Sequence, residues 1–113
     1  QFKDIISGTP DLLVTKSVHS AFFGDPDLHS WLGRHEISAI AICGIQTNMC
    51  CETTARMASD MGYEVLFVLD ATHTFDLAGV SGKVLRAREL ARVTALELDA
   101  EFCQVVFTSE LVD

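Results

Sequence analysis

Apolar residues in this chain follow two patterns, short continuous runs and longer stretches with apolar positions three or four residues apart. The continuous runs predict strands at residues 12–14 (ending at Lys16), 37–43, 64–69 and 103–107. Runs that lack an alternating polar face are typical of strands buried on both faces of a parallel sheet. The spaced stretches predict helices at residues 27–35, 49–61 and 81–100.

Local signals set the ends of the predicted helices. Asp25 supplies an N-cap and Pro26 a first-turn proline for the first helix. Thr47 and Asn48 are the predicted N-caps of the second helix, and Gly62 follows its last turn at a C′ position. Residues 71–82 are predicted to form a loop before the third helix.

Strands that alternate with helices along one chain indicate right-handed crossovers between parallel strands. We therefore predict an α/β fold with three layers, α/β/α, around a parallel Rossmann-like sheet. The chain has 113 residues, of which 49% are hydrophobic, so it holds one domain at most.

The charge balance narrows the classes of partner. The net charge is −8 and no Lys/Arg cluster is present, which argues against nucleic acid and anionic membranes. No apolar run reaches the ~18 residues of a membrane span, and no signal-peptide pattern is visible. Four cysteines without zinc-ligand spacing predict free thiols in the cytoplasm, and the four histidines show no metal-ligand pattern. We expect no cofactor or metal, a small-molecule substrate and a homo-oligomer.

Residues 39–56 carry the strongest chemical signal. An apolar, β-branched run stops at Gly44, and a helix-compatible stretch begins a few residues later. Cys50 is therefore predicted in the first helical turn at the carboxyl end of a strand, where open α/β sheets bind ligands. A helix N-terminus favours an anion, and a thiol there becomes a better nucleophile. Cys50 is a candidate catalytic cysteine; the alternative is a small buried hydrophobe, the common role of free cysteine.

The other cysteines are predicted to be structural. Cys51 is one position further on, points about 100° round the helix and is expected to face the core. Cys43 lies inside a predicted strand and Cys103 just before another. Two acidic residues, Asp70 and Asp76, follow strand ends, and we expect them to cap or remain solvated rather than catalyse.

Several motifs together carry a family resemblance. They are Lys16, Ser20-Ala21-Phe22, Gly44-Ile45-Gln46-Thr47-Asn48-Met49-Cys50, Thr54-Ala55-Arg56, Gly62-Tyr63 and Asp70-Ala71. In order and spacing they resemble the signature of the isochorismatase-like cysteine hydrolases, the superfamily that includes nicotinamidases. The resemblance covers nearly the whole chain, and the block from Lys16 to Cys50 is fairly specific.

The resemblance implies a set of functional residues. Members of the superfamily have an Asp–Lys–Cys triad, so Cys50 would be the nucleophile and Lys16 its cationic neighbour. The Ile45–Gln46 bond would match the family's cis peptide between non-proline residues. The backbone amides of Gln46 and Cys50 would then form the oxyanion hole. Lys16 could instead be a solvated lysine at a strand end.

The implied chemistry is hydrolysis of a small amide or related C–N bond through a thioester intermediate. A thiolate attacks the carbonyl, and preformed backbone donors stabilise the tetrahedral oxyanion. Isochorismatases proper lack the nucleophilic cysteine, so its presence favours amide cleavage. Phe22, Phe23 and Phe75 are candidates for the wall of the substrate pocket, with core packing as the alternative.

The sequence departs from the family pattern upstream of Lys16. The family's triad Asp ends a first strand that this chain does not contain, and Asp4 follows nothing that looks like a strand. We expect residues 1–113 to be the C-terminal two-thirds of one isochorismatase-like domain, poorly folded and inactive alone. A non-catalytic member that keeps the fold and an oligomer interface is the main alternative. A redox role for Cys50 and Cys51 is disfavoured because adjacent helical cysteines form a disulfide only with strain.

Overall fold

A computed structural model describes residues 8–112 of the chain. Its helices are α1 (Leu28–Arg34), α2 (Glu52–Asp60) and α3 (Ala87–Glu101). Short 3-10 turns form at Ala21–Phe23 and Thr108–Glu110, and a π-helical turn at Thr47–Cys51 leads into α2. The strands, in chain order, are β1 (Thr15–Lys16), β2 (Gly24–Asp25), β3 (Ala39–Ile45), β4 (Glu64–His73), β5 (Leu77–Ala78), β6 (Val84–Leu85) and β7 (Gln104–Val106).

The central sheet has the strand order β3–β4–β7, and all its pairs are parallel. Strand β4 lies in the middle, and its residues Val65 and Phe67 pair with Ile40 and Ile42 of β3. Each parallel pair is joined by a helical crossover, α2 between β3 and β4 and α3 between β4 and β7. The predicted α/β class and parallel sheet are confirmed.

One apolar cluster joins the sheet to all three helices. It contains Ile42, Val65 and Phe67 from the strands, together with Leu32 of α1, Ala55 and Ala58 of α2 and Leu98 of α3. Phe67, Leu98 and the two alanines have no exposed surface. The small alanine side chains let α2 approach the sheet closely, which fixes the helix that follows Cys50. No helix within residues 8–112 is long and apolar enough to cross a membrane.

Strand β3 differs from its prediction as a strand buried on both faces. Ile40 and Ile42 point toward the cluster, whereas Ala41, Cys43 and Ile45 are exposed. The alternation arises because neighbouring residues of a strand point to opposite faces. Cys43 is therefore an exposed thiol on the open face of β3 rather than a core residue.

The strand predicted at residues 12–14 and ending at Lys16 is present only in its last part. Strand structure covers only Thr15–Lys16, and β1 pairs antiparallel with β2 rather than joining the parallel sheet. The apolar side chain of Leu13 is 59% exposed, so its hydrophobicity does not reflect burial in this structure. Asp4 lies outside the described residues.

The third helix begins six residues later than predicted. Residues 81–85 do not continue it, because β5 and β6 form a small antiparallel hairpin there. Its turn is closed by hydrogen bonds from Gly79 N to the Lys83 carbonyl and from Gly82 N to the Gly79 carbonyl. Asp76 then accepts a hydrogen bond from Ala87 N at 2.8 Å. That bond satisfies a free amide of the first turn of α3 and confirms the predicted capping role of Asp76.

Two other predicted boundaries are also shifted. Asp27, not Asp25, is the N-cap of α1, and its carboxylate accepts from Ser30 N at 2.9 Å. Pro26 precedes the helix and follows a cis peptide bond. Strand β4 continues past Leu69 to His73, into the predicted loop. Asp70 of β4 is exposed. Its carboxylate accepts hydrogen bonds from the backbone amide and the hydroxyl of Thr108, and it thereby caps the 3-10 turn Thr108–Glu110.

The end of α2 follows its prediction. Gly62 has φ +97° and donates to the Ser59 carbonyl, and Tyr63 N donates to the Ala58 carbonyl. These two bonds form a Schellman motif, which needs a left-handed residue at the position of Gly62. The motif turns the chain back toward β4 and brings Tyr63 against the ring of Phe22, with centroids 5.8 Å apart.

We expect Gly62→Ala to lower the free energy of unfolding by about 1–2 kcal/mol, because the Cβ of an alanine is sterically disfavoured in the left-handed conformation of this residue. Gly33→Ala is the matched control, since a Cβ meets no atom within 4 Å at either position and Gly33 has no positive φ. Inside α1, that control should stabilise by about 0.5–1 kcal/mol. Urea unfolding of the two variants measures the difference. Equal effects at both positions would contradict the assignment.

Candidate active site

Cys50 lies where β3 turns into α2. The peptide bond between Ile45 and Gln46 is cis, and the π-helical turn Thr47–Cys51 follows directly. Cys51 N donates to the Gln46 carbonyl at 3.1 Å, a bond that spans five residues and widens the first turn. Helical structure thus begins two residues earlier than the predicted Met49. The Cys50 side chain is half-buried at the carboxyl edge of the sheet.

Lys16 reaches this cysteine from the β1–β2 pair. Its Nζ is 3.3 Å from Cys50 Sγ and donates to the Val18 carbonyl at 2.9 Å. Lys16 pairs with Gly24, where an added Cβ would lie only 2.5 Å from a Val14 methyl and 2.7 Å from the Thr15 carbonyl. Gly24 therefore permits the close strand approach that aims the lysine. An ammonium group at this distance favours the thiolate form of a cysteine.

His19 is a residue of this site that was not predicted from the sequence. Its Nδ1 is 3.6 Å from Cys50 Sγ, so the imidazole and the Lys16 ammonium both contact the sulfur. The available signal was its position three residues after Lys16 in the same loop. Within residues 8–112, no carboxylate forms an ion pair or hydrogen bond with Lys16 or Cys50.

A cavity of about 260 Å³ opens beside Cys50. Its walls come from the β1 end, the β3 end and the start of α2: Lys16, Ala21, Ile42, Cys43, Gly44, Ile45, Cys50, Cys51 and Thr54. The Thr54 hydroxyl accepts a hydrogen bond from Ala21 N at 3.0 Å, which ties the loop carrying His19 to α2. The space suits a small organic molecule rather than a macromolecule.

The three predicted pocket aromatics do not line this cavity. Phe22 is buried in the core cluster and stacks on Tyr63, as in the alternative interpretation. Phe23 and Phe75 are exposed by 65% and 54%. Phe75 packs edge-on against the His73 ring at the end of β4, with centroids 4.9 Å apart.

Buried hydroxyl groups hold the turn that carries Cys50. Thr47 is 1% exposed and donates to the Thr72 hydroxyl at 2.7 Å, and Thr72 donates to the Leu69 carbonyl. The Thr74 hydroxyl, on the same side of β4, bonds to the Asn48 side chain. Thr47 and Asn48 are therefore not N-caps, as predicted, because their side chains bond to β4 and its end instead of to the helix amides. Gln46 takes the N-cap position, but its side chain makes no capping hydrogen bond to the helix amides.

Burial separates Cys51 from Cys50. Cys51 is 4% exposed within the core cluster, which confirms its predicted inward direction. Loss of solvation, with a smaller contribution from the neighbouring Cys50, raises its pKa to about 11. Burial also raises the pKa of Cys103 to about 11. Both thiols therefore stay protonated at neutral pH, where thiolate is the reactive form. No group of three metal-ligating side chains is present within residues 8–112.

The fold and this site match one protein family. Residues 2–97 match the isochorismatase domain, so the chain belongs to the isochorismatase family. YrdC, an isochorismatase family protein of Bacillus subtilis, is 28% identical over 103 residues, which are 91% of this chain and 54% of the relative. Nicotinamidase 3 of Arabidopsis thaliana is 42% identical over 67 residues, 59% of this chain and 33% of the relative.

Solved structures give the same result. A cysteine hydrolase from Pseudomonas syringae superposes with a TM-score of 0.88 at 29% identity, over 97% of this chain and 51% of that one. The chain thus spans about half the length of relatives such as these. The α/β fold is that of an isochorismatase-like hydrolase.

We expect iodoacetamide at pH 7.5 to modify Cys50 before the other three cysteines. With a pKa of about 11, Cys51 and Cys103 should react at least about a hundredfold more slowly. Exposed Cys43 serves as the internal reference thiol. Lys16→Met should lower the Cys50 rate relative to Cys43 by about tenfold, because it removes the adjacent positive charge. Time-resolved peptide mapping measures all four rates, and faster labelling of Cys51 would refute the assignment.

Proposed function

We propose that the protein is a cysteine hydrolase that cleaves a small amide, with Cys50 as the nucleophile and Lys16 as its cationic partner. The contact of 3.3 Å between Lys16 Nζ and Cys50 Sγ is the observation that supports this most directly. The two residues are 34 positions apart in sequence, and separate elements bring them together at the cavity. Membership of the isochorismatase family supports a hydrolase in general.

The first half of the reaction forms a thioester. The Cys50 thiolate attacks the carbonyl carbon of the amide, and the carbonyl oxygen becomes an oxyanion. The C–N bond then breaks, the departing amine takes up one proton, which balances the proton that the Cys50 thiol lost on ionisation, and the acyl group stays on Cys50. Lys16 stabilises the thiolate before attack through its positive charge. Water hydrolyses the thioester in the second half and releases a carboxylic acid.

The oxyanion needs hydrogen-bond donors that are in place before attack. We assign this role to the backbone amides of Gln46 and Cys50, which lie in the turn at the end of β3. The hydrogen bonds from Thr47 to Thr72 of β4 and from Thr74 to Asn48 hold that turn, so the donors keep their position during the reaction. A rigid donor pair costs no reorganisation when the charge develops.

The size of the cavity limits the substrate to a small molecule. A space of about 260 Å³ accommodates roughly a single ring or a short acyl chain. Amide chemistry is consistent with the nicotinamidase among the relatives. We therefore propose small primary amides as the substrate class, with nicotinamide as the first compound to test.

Ammonia release from a panel of primary amides tests the function in the whole protein. Cys50→Ala should lower kcat/KM by more than about a thousandfold, because it removes the thiol that the Lys16 ammonium contacts. Lys16→Met should lower it by about a hundredfold. Cys103→Ala is the matched control, because Cys103 lies between α3 and β7, away from the cavity. The Cys103→Ala variant should keep the kcat/KM of the unmodified protein.

Acid-quenched samples analysed by mass spectrometry should carry the acyl group on the peptide that contains Cys50. Unchanged ammonia release by Cys50→Ala would refute the nucleophile. Absence of release from every amide by the unmodified protein would favour the non-catalytic alternative.

A further inference from the structure

Helix α3 packs on α2 with one side and borders an open groove with the other. Thr94 and Glu97 bond to side chains of α2. The opposite side of the helix lines a groove of about 550 Å³, whose floor includes Val105 of β7. Successive residues of a helix are rotated by about 100°, which places five residues of the groove on this side. We call them the outer flank of α3: Arg88, Arg92, Ala95, Leu96 and Asp99.

The outer flank has charges of both signs at opposite ends. Arg88 and Arg92 lie in the first half of α3, and Asp99 lies near its end. Within residues 8–112 neither arginine forms an ion pair. Between the charges Ala95 is small, and the side chain of Leu96 is 64% exposed. A basic end, an apolar centre and an acidic end form a pattern that is complementary to its own reverse.

We propose that the outer flank of α3 binds the same flank of a second copy of this chain, with the two helices antiparallel. A twofold axis between Ala95 and Leu96 places Arg92 of one copy level with Asp99 of the other. Both residues lie about 5 Å along the helix from that axis, at a rise of about 1.5 Å per residue. The ion pair forms twice, because every contact of a twofold interface is repeated. Parallel helices would instead place arginine against arginine.

The centre of this interface has the side chains that close packing needs. Ala95 lets the two helix axes approach to about 8 Å. Leu96 enters the groove of the other copy above Val105 and loses its contact with water, which favours association. Arg88 lies about 11 Å from the axis, near the C-terminal end of the other α3, where free carbonyl groups carry partial negative charge.

The distribution of charge favours this surface for self-association. Two copies with a net charge of −8 each repel one another at long range. Four of the eight basic residues lie within ten positions at the start of α3, so this part of the surface opposes the repulsion: Lys83, Arg86, Arg88 and Arg92. An anionic ligand would need the arginines alone, whereas Asp99 and the exposed Leu96 fit a second flank of reversed order.

The oligomeric state of the whole protein tests the interface. Sedimentation velocity of the unmodified protein should give a dimer or a multiple of a dimer. Arg92→Glu and Asp99→Arg should each weaken the association at least about tenfold, because each places like charges opposite one another. Arg34→Glu is the matched control: it makes the same change of charge at the end of α1 and should leave the association constant unchanged.

Mixing the two variants distinguishes a direct contact from a general loss of structure. At these two positions the Arg92→Glu chain has only acidic groups and the Asp99→Arg chain only basic ones. An equimolar mixture should therefore recover the association as a mixed dimer. The double variant should also associate, because its two charges are only exchanged.

A further variant tests the apolar centre without changing a charge. Leu96→Ser should weaken the association at least about tenfold, because it removes the exposed side chain that fills the other groove. Thermal unfolding checks that every variant folds, which matters most for Asp99, since its carboxylate accepts a hydrogen bond from Val105 N at 3.4 Å.

A monomeric unmodified protein would overturn the proposal, and so would an association constant that Arg92→Glu and Leu96→Ser leave unchanged. Weakening in both charge variants without recovery in their mixture would also contradict the contact. If the variants lower the unfolding temperature but not the association, the flank packs on another part of the same protein, and a second copy does not bind there. None of these results depends on amide turnover, so they are independent of the proposed function.

Discussion

The contact between the Lys16 ammonium and the Cys50 sulfur depends on three segments that meet at one point. The β1–β2 pair carries the lysine, the end of β3 and its π-helical turn carry the cysteine, and α2 fixes the turn from behind. Each segment is held by a different physical constraint: close backbone approach at Gly24, buried hydroxyl bonds at Thr47, and close packing at Ala55. Chemistry at the cysteine is therefore a property of packing as much as of residue identity.

Much of the fold could be predicted because its signals are local. A buried strand, a helix and a terminating glycine follow one another between Ile40 and Gly62, and each depends on neighbouring residues alone. The predictions that were wrong depend on distant partners. The pattern at residues 12–14 looks like any buried strand, and Val84 and Leu85, one strand of the hairpin, fit the helix-like spacing of the apolar residues that follow them. Periodicity does not report which strand a segment will pair with.

The residues of the candidate site also divide into those that local sequence signals predicted and those that depend on the folded path of the chain. The positions of Cys50 and Lys16 followed from a strand end and a family signature, and the structure brings their side chains into contact. His19 was missed because its position three residues after Lys16 is a weak signal by itself, and its proximity to Cys50 arises from the folded path of residues 16–21. The aromatics were misplaced for a related reason. Phe22 and Phe23 are adjacent in sequence, yet the 3-10 turn buries the first and exposes the second.

The distribution of charge explains how an acidic chain can place a positive group beside Cys50. The chain has a net charge of −8, and Glu52 follows the two cysteines directly. Its carboxylate turns to the far side of α2, where it accepts hydrogen bonds from Thr94 at 2.7 Å and from Arg56 at 3.0 Å. Arg56 in turn bonds to Glu97 and lies over the Phe102 ring, 4.7 Å from its centroid.

This network joins α2 to α3 and neutralises the carboxylate nearest to Cys50 in sequence. Within the described residues, the side chains that contact the Cys50 sulfur are the ammonium of Lys16 and the imidazole of His19. The positive surroundings of the site are therefore local, and they are created by where the acidic side chains are directed rather than by the overall composition.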